Sequence, residues 1–447
     1  MEDRRNRDAR KFFQMIDTEL YKKLHEFADP DTKLPLMDSI HFRHLTERYT
    51  KEVFRYTLAE YIVKEKPRFP LKIISHETMR KSFLGLCNFD IQKICTPKDE
   101  LTNDVVEKYD YKYPFSQYGQ GLIDAPSTYN DASNYFHQAL RLSCGSYGFR
   151  SPFDVWVNGT AKDVWRCFGP IWRGINTKSV LDDSVYVSAF RLGTYIATQF
   201  KPVVAKAMYD LTKSSVVLDT SCGWGDRLCG FYASDADFYI GCDPNPNTFE
   251  RYKFQAIEYD KLVGEREPII KESKNMFNLE GNKCVIIYRC GAEDLPWGDL
   301  PPVDLAFTSP PYFSTERYNE GGEHQEDQSW HKFTQYEMWR DLFFLPVAEK
   351  SFVLSKYVFV NIMDPQIKGV RYYSSDELVE RLQQNFVGQI GMRIMRRPKS
   401  DTLFQTEEDK RKHATDTFIE NVWCFAKDPK VDLFKDVQTS TLETFFA

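Results

Sequence analysis

Val216-Val217-Leu218-Asp219-Thr220-Ser221-Cys222-Gly223-Trp224-Gly225-Asp226-Arg227 is the stretch whose reading decides the fold. An apolar run ends in an acid and a Gly-x-Gly turn, and a helical pattern comes next. A strand that enters a helix through two glycines makes a tight turn where the backbone comes close to a ligand. A dinucleotide fingerprint needs a third glycine at 228, but Leu228 stands there and the next glycine is Gly230. That argues against a pyrophosphate cradle. Gly-x-Gly alone is a turn more often than a site, so its weight depends on the residues at the ends of the neighbouring strands.

Six more apolar runs alternate with helical patterns: 238–241, 285–288, 303–307, 357–362, 390–395 and 418–425. Seven candidate strands separated by helices predict an α/β domain over residues 151–430, with a largely parallel sheet. In such sheets ligands bind beyond the carboxyl ends of the strands, where strand order reverses. Asp243 follows the second run, 18 residues after Gly225. An acid there can accept hydrogen bonds from both hydroxyls of a ribose. Asp294 follows the third run, where it can accept from an adenine amino group. Together these residues describe an adenosine site without a phosphate grip, as S-adenosylmethionine requires.

The fourth run ends in Thr308-Ser309-Pro310-Pro311-Tyr312-Phe313. The exocyclic amino group of a base is a poor nucleophile, because its lone pair is delocalised into the ring. Acceptors that grip both N–H groups favour a pyramidal nitrogen and free that pair. A Ser309 side chain and a Pro310 carbonyl held rigid by the Pro310-Pro311 pair can do this. Tyr312 offers an aromatic face for a base taken out of its stack.

This order of elements resembles the S-adenosylmethionine-dependent amino-methyltransferases of adenine N6 or cytosine N4 in DNA. Their hallmark is (Asp/Asn/Ser)-Pro-Pro-(Tyr/Phe/Trp), here Ser309-Pro310-Pro311-Tyr312. The resemblance spans about residues 185–428. It implies a Rossmann-like, seven-stranded class I methyltransferase sheet. It also implies that Ser309, Pro310, Pro311 and Tyr312 are catalytic, and that Asp219, Ser221, Cys222, Gly223 and Gly225 line the cofactor. Asp243 then holds the ribose, Asp294 lies near the adenine, and Ser309 borders cofactor and target alike. Gln199-Phe200-Lys201-Pro202-Val203-Val204 resembles the segment that packs against the methionine end, which adds Phe200 and Pro202 to the cofactor set. Glu420 to Lys427 resembles the family's last strand. Methyl transfer from a sulfonium needs in-line placement, so no metal is expected. Two departures stand out. The family often has Asp-Pro-Phe-x-Gly-x-Gly where this chain has Asp219-Thr220-Ser221-Cys222-Gly223-Trp224-Gly225, and no insertion marks a target-recognition domain. Serine at the first position leans towards cytosine N4.

Charge limits how a nucleic acid can be held. The chain has 447 residues, 59 Lys+Arg and 65 Asp+Glu, a net charge of −6. That excludes a protein that binds polyanions by bulk charge, so any contact is local. Between 388 and 413 there are seven Lys/Arg against four Asp/Glu, a net of +3. Arg393, Arg396, Arg397, Lys399, Lys410, Arg411 and Lys412 in this stretch are the candidate phosphate contacts. A solvated charged loop has the same composition.

A hydrophobic fraction of 42%, with 34 Phe and 25 Tyr, is enough for a sizeable core. No run of 18 apolar residues exists, and the charged N-terminus leads into no apolar stretch, so neither a membrane span nor a secretory signal is expected. Ten cysteines without Cys-x-x-Cys spacing read as free thiols in a reducing, cytoplasmic setting. Residues 1–150 read as a mostly helical accessory region suited to substrate recognition, with helical spacing over Leu45 to Tyr61, and 431–447 as a tail. Three other readings stay open: methylation of RNA bases, methylation of a protein glutamine amide, and a non-catalytic binding or scaffold protein that keeps the fold.

Overall fold

A computed structural model describes residues 16–146, 148–394, 406 and 416–438. The chain divides into two compact units, and the division does not fall at residue 150. The first unit comprises residues 16–73, 139–198 and 318–322; the second comprises 74–138, 199–317 and the described residues from 323 onward.

The first unit is helical, and each turn into a helix has a local cause. Asp17, Asp38, Thr50, Ser151, Thr160 and Asp182 each accept a hydrogen bond from a first-turn amide of the helix they precede. The helical spacing over Leu45 to Tyr61 proves to be two helices, Ser39–Arg48 and Lys51–Glu65, because Thr50 caps the second and interrupts the first. Their apolar faces bury Phe42, Phe54, Leu58 and Ile62 against Trp156, Phe168, Tyr186 and Phe190. The Trp156 indole donates to the Pro67 carbonyl at 2.8 Å, so its N–H is satisfied in the core.

The second unit is built on one sheet. In chain order the strands are β1 (Cys95–Pro97), β2 (Val105–Val106), β3 (Gly119–Asp124), β4 (Val216–Asp219), β5 (Phe238–Cys242), β6 (Ile269–Ser273) and β7 (Met276–Glu280). They continue with β8 (Cys284–Tyr288), β9 (Val303–Thr308), β10 (Ser355–Asn361), β11 (Gln366–Ile367), β12 (Val370–Arg371), β13 (Phe386–Arg393) and β14 (Thr417–Ala426). All seven runs singled out in the sequence are strands. Their spatial order is β8-β5-β4-β9-β10-β14-β13. Neighbours from β8 to β10 are parallel, and β14 inserts antiparallel to both β10 and β13. Renumbered as a seven-strand core the order is 3-2-1-4-5-7-6, the arrangement of a Rossmann-like class I methyltransferase sheet.

The sheet continues past this core on both sides. The hairpin β6–β7 extends it beyond β8, and β3 pairs parallel to β13 with β1 beyond it. β3 and β1 come from the part of the chain that composition assigns to a helical accessory region. β1 has only three residues and β3 carries Gly119, Gln120 and Gly121 in its first half, which hides both from a periodicity argument, and β6 is exposed along its whole length. Two clusters of buried side chains cover the sheet. One includes Val203, Leu228, Phe249 and Phe307, and the other Leu218, Ile240, Trp339 and Val360. The central strands are therefore apolar on both faces, as buried parallel strands are. Strand order reverses between β4 and β9, which places the crevice at the carboxyl ends of these two strands.

Candidate functional site

At the end of β4 the chain turns through residues 220–225 into the helix Asp226–Ala233. Gly223 and Gly225 both have positive φ, 59° and 70°, which explains glycine at each. Their surroundings differ. A Cβ on Gly225 would lie 2.1 Å from Gln255 Oε1 and 2.6 Å from His137 Nε2. A Cβ on Gly223 would meet nothing nearer than the Ser221 carbonyl at 3.7 Å. One glycine is packed tightly against protein; the other leaves room for a methyl group in ordinary van der Waals contact.

Asp219 and Arg227 hold this turn from below. The Arg227 Nε donates to Asp219 Oδ2 at 2.8 Å, and both side chains are buried. Tyr239 donates to the same oxygen at 2.7 Å, and the Ser221 amide to Oδ1 at 3.1 Å. Arg227 also donates to the Ser221 carbonyl, and its guanidinium lies over the Phe200 ring. The Asp219 carboxylate is thus committed inside the protein, and it shapes the loop instead of facing the crevice. Cys222 is likewise buried, with its sulfur 3.4 Å from the Tyr239 hydroxyl. Pro202 opens the helix Pro202–Leu211, where its missing N–H costs nothing. Gly230 lets that helix approach: a Cβ there would sit 2.5 Å from that of Ala205.

Asp243 follows β5 and is half-buried at the rim of the loop. Its carboxylate accepts from the Gly223 amide at 3.2 Å, the Asn245 amide at 3.0 Å, Thr248 at 3.1 Å and Tyr252 at 3.1 Å. Burial pushes its pKa up to about 6 despite these four bonds. Gly223 and Asp243, expected to share a site, are therefore joined directly. Asp294 ends the turn Ala292–Asp294 after β8; its exposed carboxylate lies 3.6 Å from Lys332 Nζ.

Across the switch point β9 runs into Ser309-Pro310-Pro311-Tyr312. Phe313 ends the turn in the left-handed region, with φ 51° and its amide donating to the Pro311 carbonyl at 2.9 Å. A cavity of about 20 Å³ is lined by Pro310, by Thr220 of the loop after β4, and by Thr308 and Phe344 among others. Tyr312 is not the open aromatic face that its motif suggests. It is 7% exposed, and its hydroxyl donates to Glu420 Oε1 at 2.8 Å and approaches Ser309 Oγ at 3.5 Å.

No protein-family model and no curated protein matches the sequence. Among solved structures, Trm1 from Pyrococcus horikoshii with S-adenosyl-L-methionine is 15% identical at a TM-score of 0.25, over 36% of this chain and 37% of that one. The N-terminal domain of EvdMO1 with SAH bound is 11% identical at 0.29, over 51% of this chain and 82% of that one. The bifunctional kinase-methyltransferase WbdD is 10% identical at 0.27, over 50% and 38%. The functional reading therefore rests on this chain's own residues.

Several residues of the site carry no signal in the sequence. His137 and Ser133, on the helix Asn130–Ser143, reach the loop after β4 from far upstream. His137 Nε2 pairs with Gln255 Oε1 at 2.8 Å, and Gln255 donates to the Gly225 carbonyl at 2.7 Å. Burial holds the imidazole neutral, with its pKa down to about 4. Ser133 donates to Asp226 at 2.5 Å, and Gln199 to the same oxygen at 3.0 Å. Glu420 and Asn361, on β14 and β10, complete the surroundings of Tyr312. Isolated polar residues of these types are common, and only the fold brings them to one edge.

The basic edge is described at one residue only. Arg393, the last residue of β13, pairs with Asp124 of β3 at 3.0 Å, and both side chains remain exposed. Arg396, Arg397, Lys399, Lys410, Arg411 and Lys412 lie outside the described residues.

Proposed function

We propose that this chain is an S-adenosylmethionine-dependent methyltransferase acting in the cytoplasm on the exocyclic amino nitrogen of a base, cytosine N4 or adenine N6, in DNA. One observation carries the reading. The two loops that flank the reversal of strand order are Gly223-x-Gly225 and Ser309-Pro310-Pro311-Tyr312, and they rise from adjacent strands, β4 and β9. A cofactor loop and an amino-group clamp side by side are what transfer between two bound molecules requires.

The residues present fit an adenosine cofactor. A Gly223 side chain would meet only loose contacts, at 3.7 Å or more, and Asp243 stands beside it with a carboxylate able to accept from ribose hydroxyls. The bound cofactor supplies an electrophilic methyl group. Ser309 Oγ and the Pro310 carbonyl accept from the two N–H groups of the target amine. Tyr312 makes the base contact, which calls for one face of its buried ring to be uncovered. The helical unit, which takes in residues 16–73 of the expected accessory region, is the candidate for substrate recognition, because the described residues of the sheet unit include no separate module for it. Its residues 318–322 begin five positions after Phe313, so the chain runs from the amino-group clamp directly into that unit.

The test separates binding from chemistry. Ser309→Ala should bind S-adenosylmethionine with wild-type affinity by calorimetry and lose about 10²-fold or more in turnover. Full turnover in this variant would remove the catalytic assignment.

A further inference from the structure

Methylation of an amino nitrogen releases one proton per turnover, and the clamp of Ser309 and Pro310 provides no group that ends up holding it. Ser309 and the Pro310 carbonyl can accept hydrogen bonds, but neither is basic enough to keep a proton at neutral pH.

A carboxylate lies one hydroxyl away. Tyr312 Oη is 3.5 Å from Ser309 Oγ and 2.8 Å from Glu420 Oε1. Asn361 Nδ2 donates to the same Glu420 oxygen at 3.2 Å and to the Asn421 carbonyl at 3.1 Å, which fixes the carboxylate on its tyrosine. Tyr312 is buried, whereas Ser309 and Glu420 are half-exposed, so the three form a line from the clamp to the strand edge. Burial and the adjacent Glu420 push the Tyr312 ionisation well above its ordinary range, so it stays a neutral hydroxyl that can accept one proton and give another. Glu316, on the loop after the clamp, is the other charged side chain that acts on Tyr312. On the neighbouring strand β13 the residue opposite Glu420 is Met392, which carries no charge.

We propose that Ser309, Tyr312 and Glu420 form the route by which the proton of the methylated amine leaves, with Glu420 as its terminal acceptor. The proposal rests on the reading of the chain as an amino-methyltransferase and adds a residue to it. The nitrogen gains a carbon bond as the sulfonium–carbon bond breaks, and its N–H bond then breaks with the electron pair remaining on nitrogen. Ser309 Oγ takes that proton and gives its own to Tyr312 Oη, which gives its own to Glu420. The carboxylate becomes a carboxylic acid and returns the proton to water. One positive charge on sulfur is lost and one negative charge on Glu420 is neutralised, so the sum balances.

Glu420→Gln keeps a hydrogen-bond acceptor for Tyr312 and removes the ability to take a proton. It should lower kcat about 10²-fold with KM and S-adenosylmethionine affinity unchanged. Wild-type kcat should show an acid limb in its pH profile, and that limb should be absent in Glu420→Gln. Glu420→Asp should restore part of kcat and the limb. A second readout needs no turnover: an infrared carboxylic-acid band that titrates, vanishes in Glu420→Gln and shifts in Tyr312→Phe. Wild-type kcat in Glu420→Gln, an unchanged acid limb, or a band indifferent to Tyr312→Phe would overturn the route alone. If the wild-type protein transfers no methyl group to any amino-bearing base, the route falls together with the function it rests on.

Discussion

Gly223 and Gly225 sit two residues apart with similar φ angles, yet alanine should act differently at each. At either position a non-glycine residue in the left-handed region costs about 1 kcal/mol. For Gly223→Ala little is added, because the new methyl meets nothing nearer than 3.7 Å. For Gly225→Ala the methyl would fall 2.1 Å from Gln255 Oε1 and 2.6 Å from His137 Nε2, which are themselves hydrogen-bonded at 2.8 Å. Gln255 has to move, and it also holds the Gly225 carbonyl at 2.7 Å. Two buried polar groups, Gln255 and His137, then lose a partner at about 1–2 kcal/mol each, which with the left-handed cost gives a total of about 3–5 kcal/mol. That is a large share of a typical stability of about 5–15 kcal/mol. Urea unfolding followed by tryptophan fluorescence reads the difference directly. Gly225→Ala should lie about 2–4 kcal/mol below Gly223→Ala. Calorimetry should show the reverse ranking of function: Gly223→Ala remains folded but binds S-adenosylmethionine weakly, since its methyl enters the open side of the loop. Equal losses of stability, or a folded Gly223→Ala with unimpaired binding, would refute the assignment of one glycine to packing and the other to the ligand.

Three further outcomes are expected. Arg227→Met should cost about 3–5 kcal/mol in the same unfolding assay, because it leaves the Asp219 carboxylate buried without its cation. Adding Asp219→Asn should recover part of that loss, whereas strict additivity would contradict the pairing. Asp243 is raised to about 6 in the folded protein from an ordinary 3.8, so the fold binds its proton more tightly than the unfolded chain does. Its contribution to stability is therefore largest below pH 4 and declines as pH rises towards 6, and Asp243→Asn should flatten that slope. Ribose hydroxyls donate best to the ionised carboxylate, so S-adenosylmethionine affinity should weaken as pH falls below about 6. A dissociation constant that ignores pH between 4 and 7 in calorimetry would count against the ribose role.

How much of the fold is legible in the sequence depends on what each feature demands of the chain. The seven core strands are runs of apolar residues long enough to register, and both Gly-x-Gly and Ser-Pro-Pro-Tyr impose backbone geometry that few other residues satisfy. Asp243 is readable because position after a strand is itself a signal in a parallel sheet. The strands β1 and β3 are not, the first having three residues and the second opening on Gly119-Gln120-Gly121, so the part of the chain that supplies them passes for a helical accessory region. Asp219 shows the converse difficulty. Its place in the motif suggests a ligand contact, but its partners Arg227 and Tyr239 lie eight and twenty residues away, and only the fold shows that they enclose it. His137, Gln255, Asn361 and Glu420 are ordinary residues in sequence, and each matters through what it meets across the sheet edge.

The central claim is methyl transfer to a base amino nitrogen. The most direct measurement is incubation of the protein with isotopically labelled S-adenosylmethionine and mixed DNA and RNA, with nucleoside mass spectrometry of the products. The account predicts label in N4-methylcytosine or N6-methyladenine released from the DNA. Label on carbon, oxygen or protein, or none transferred at all, would contradict it.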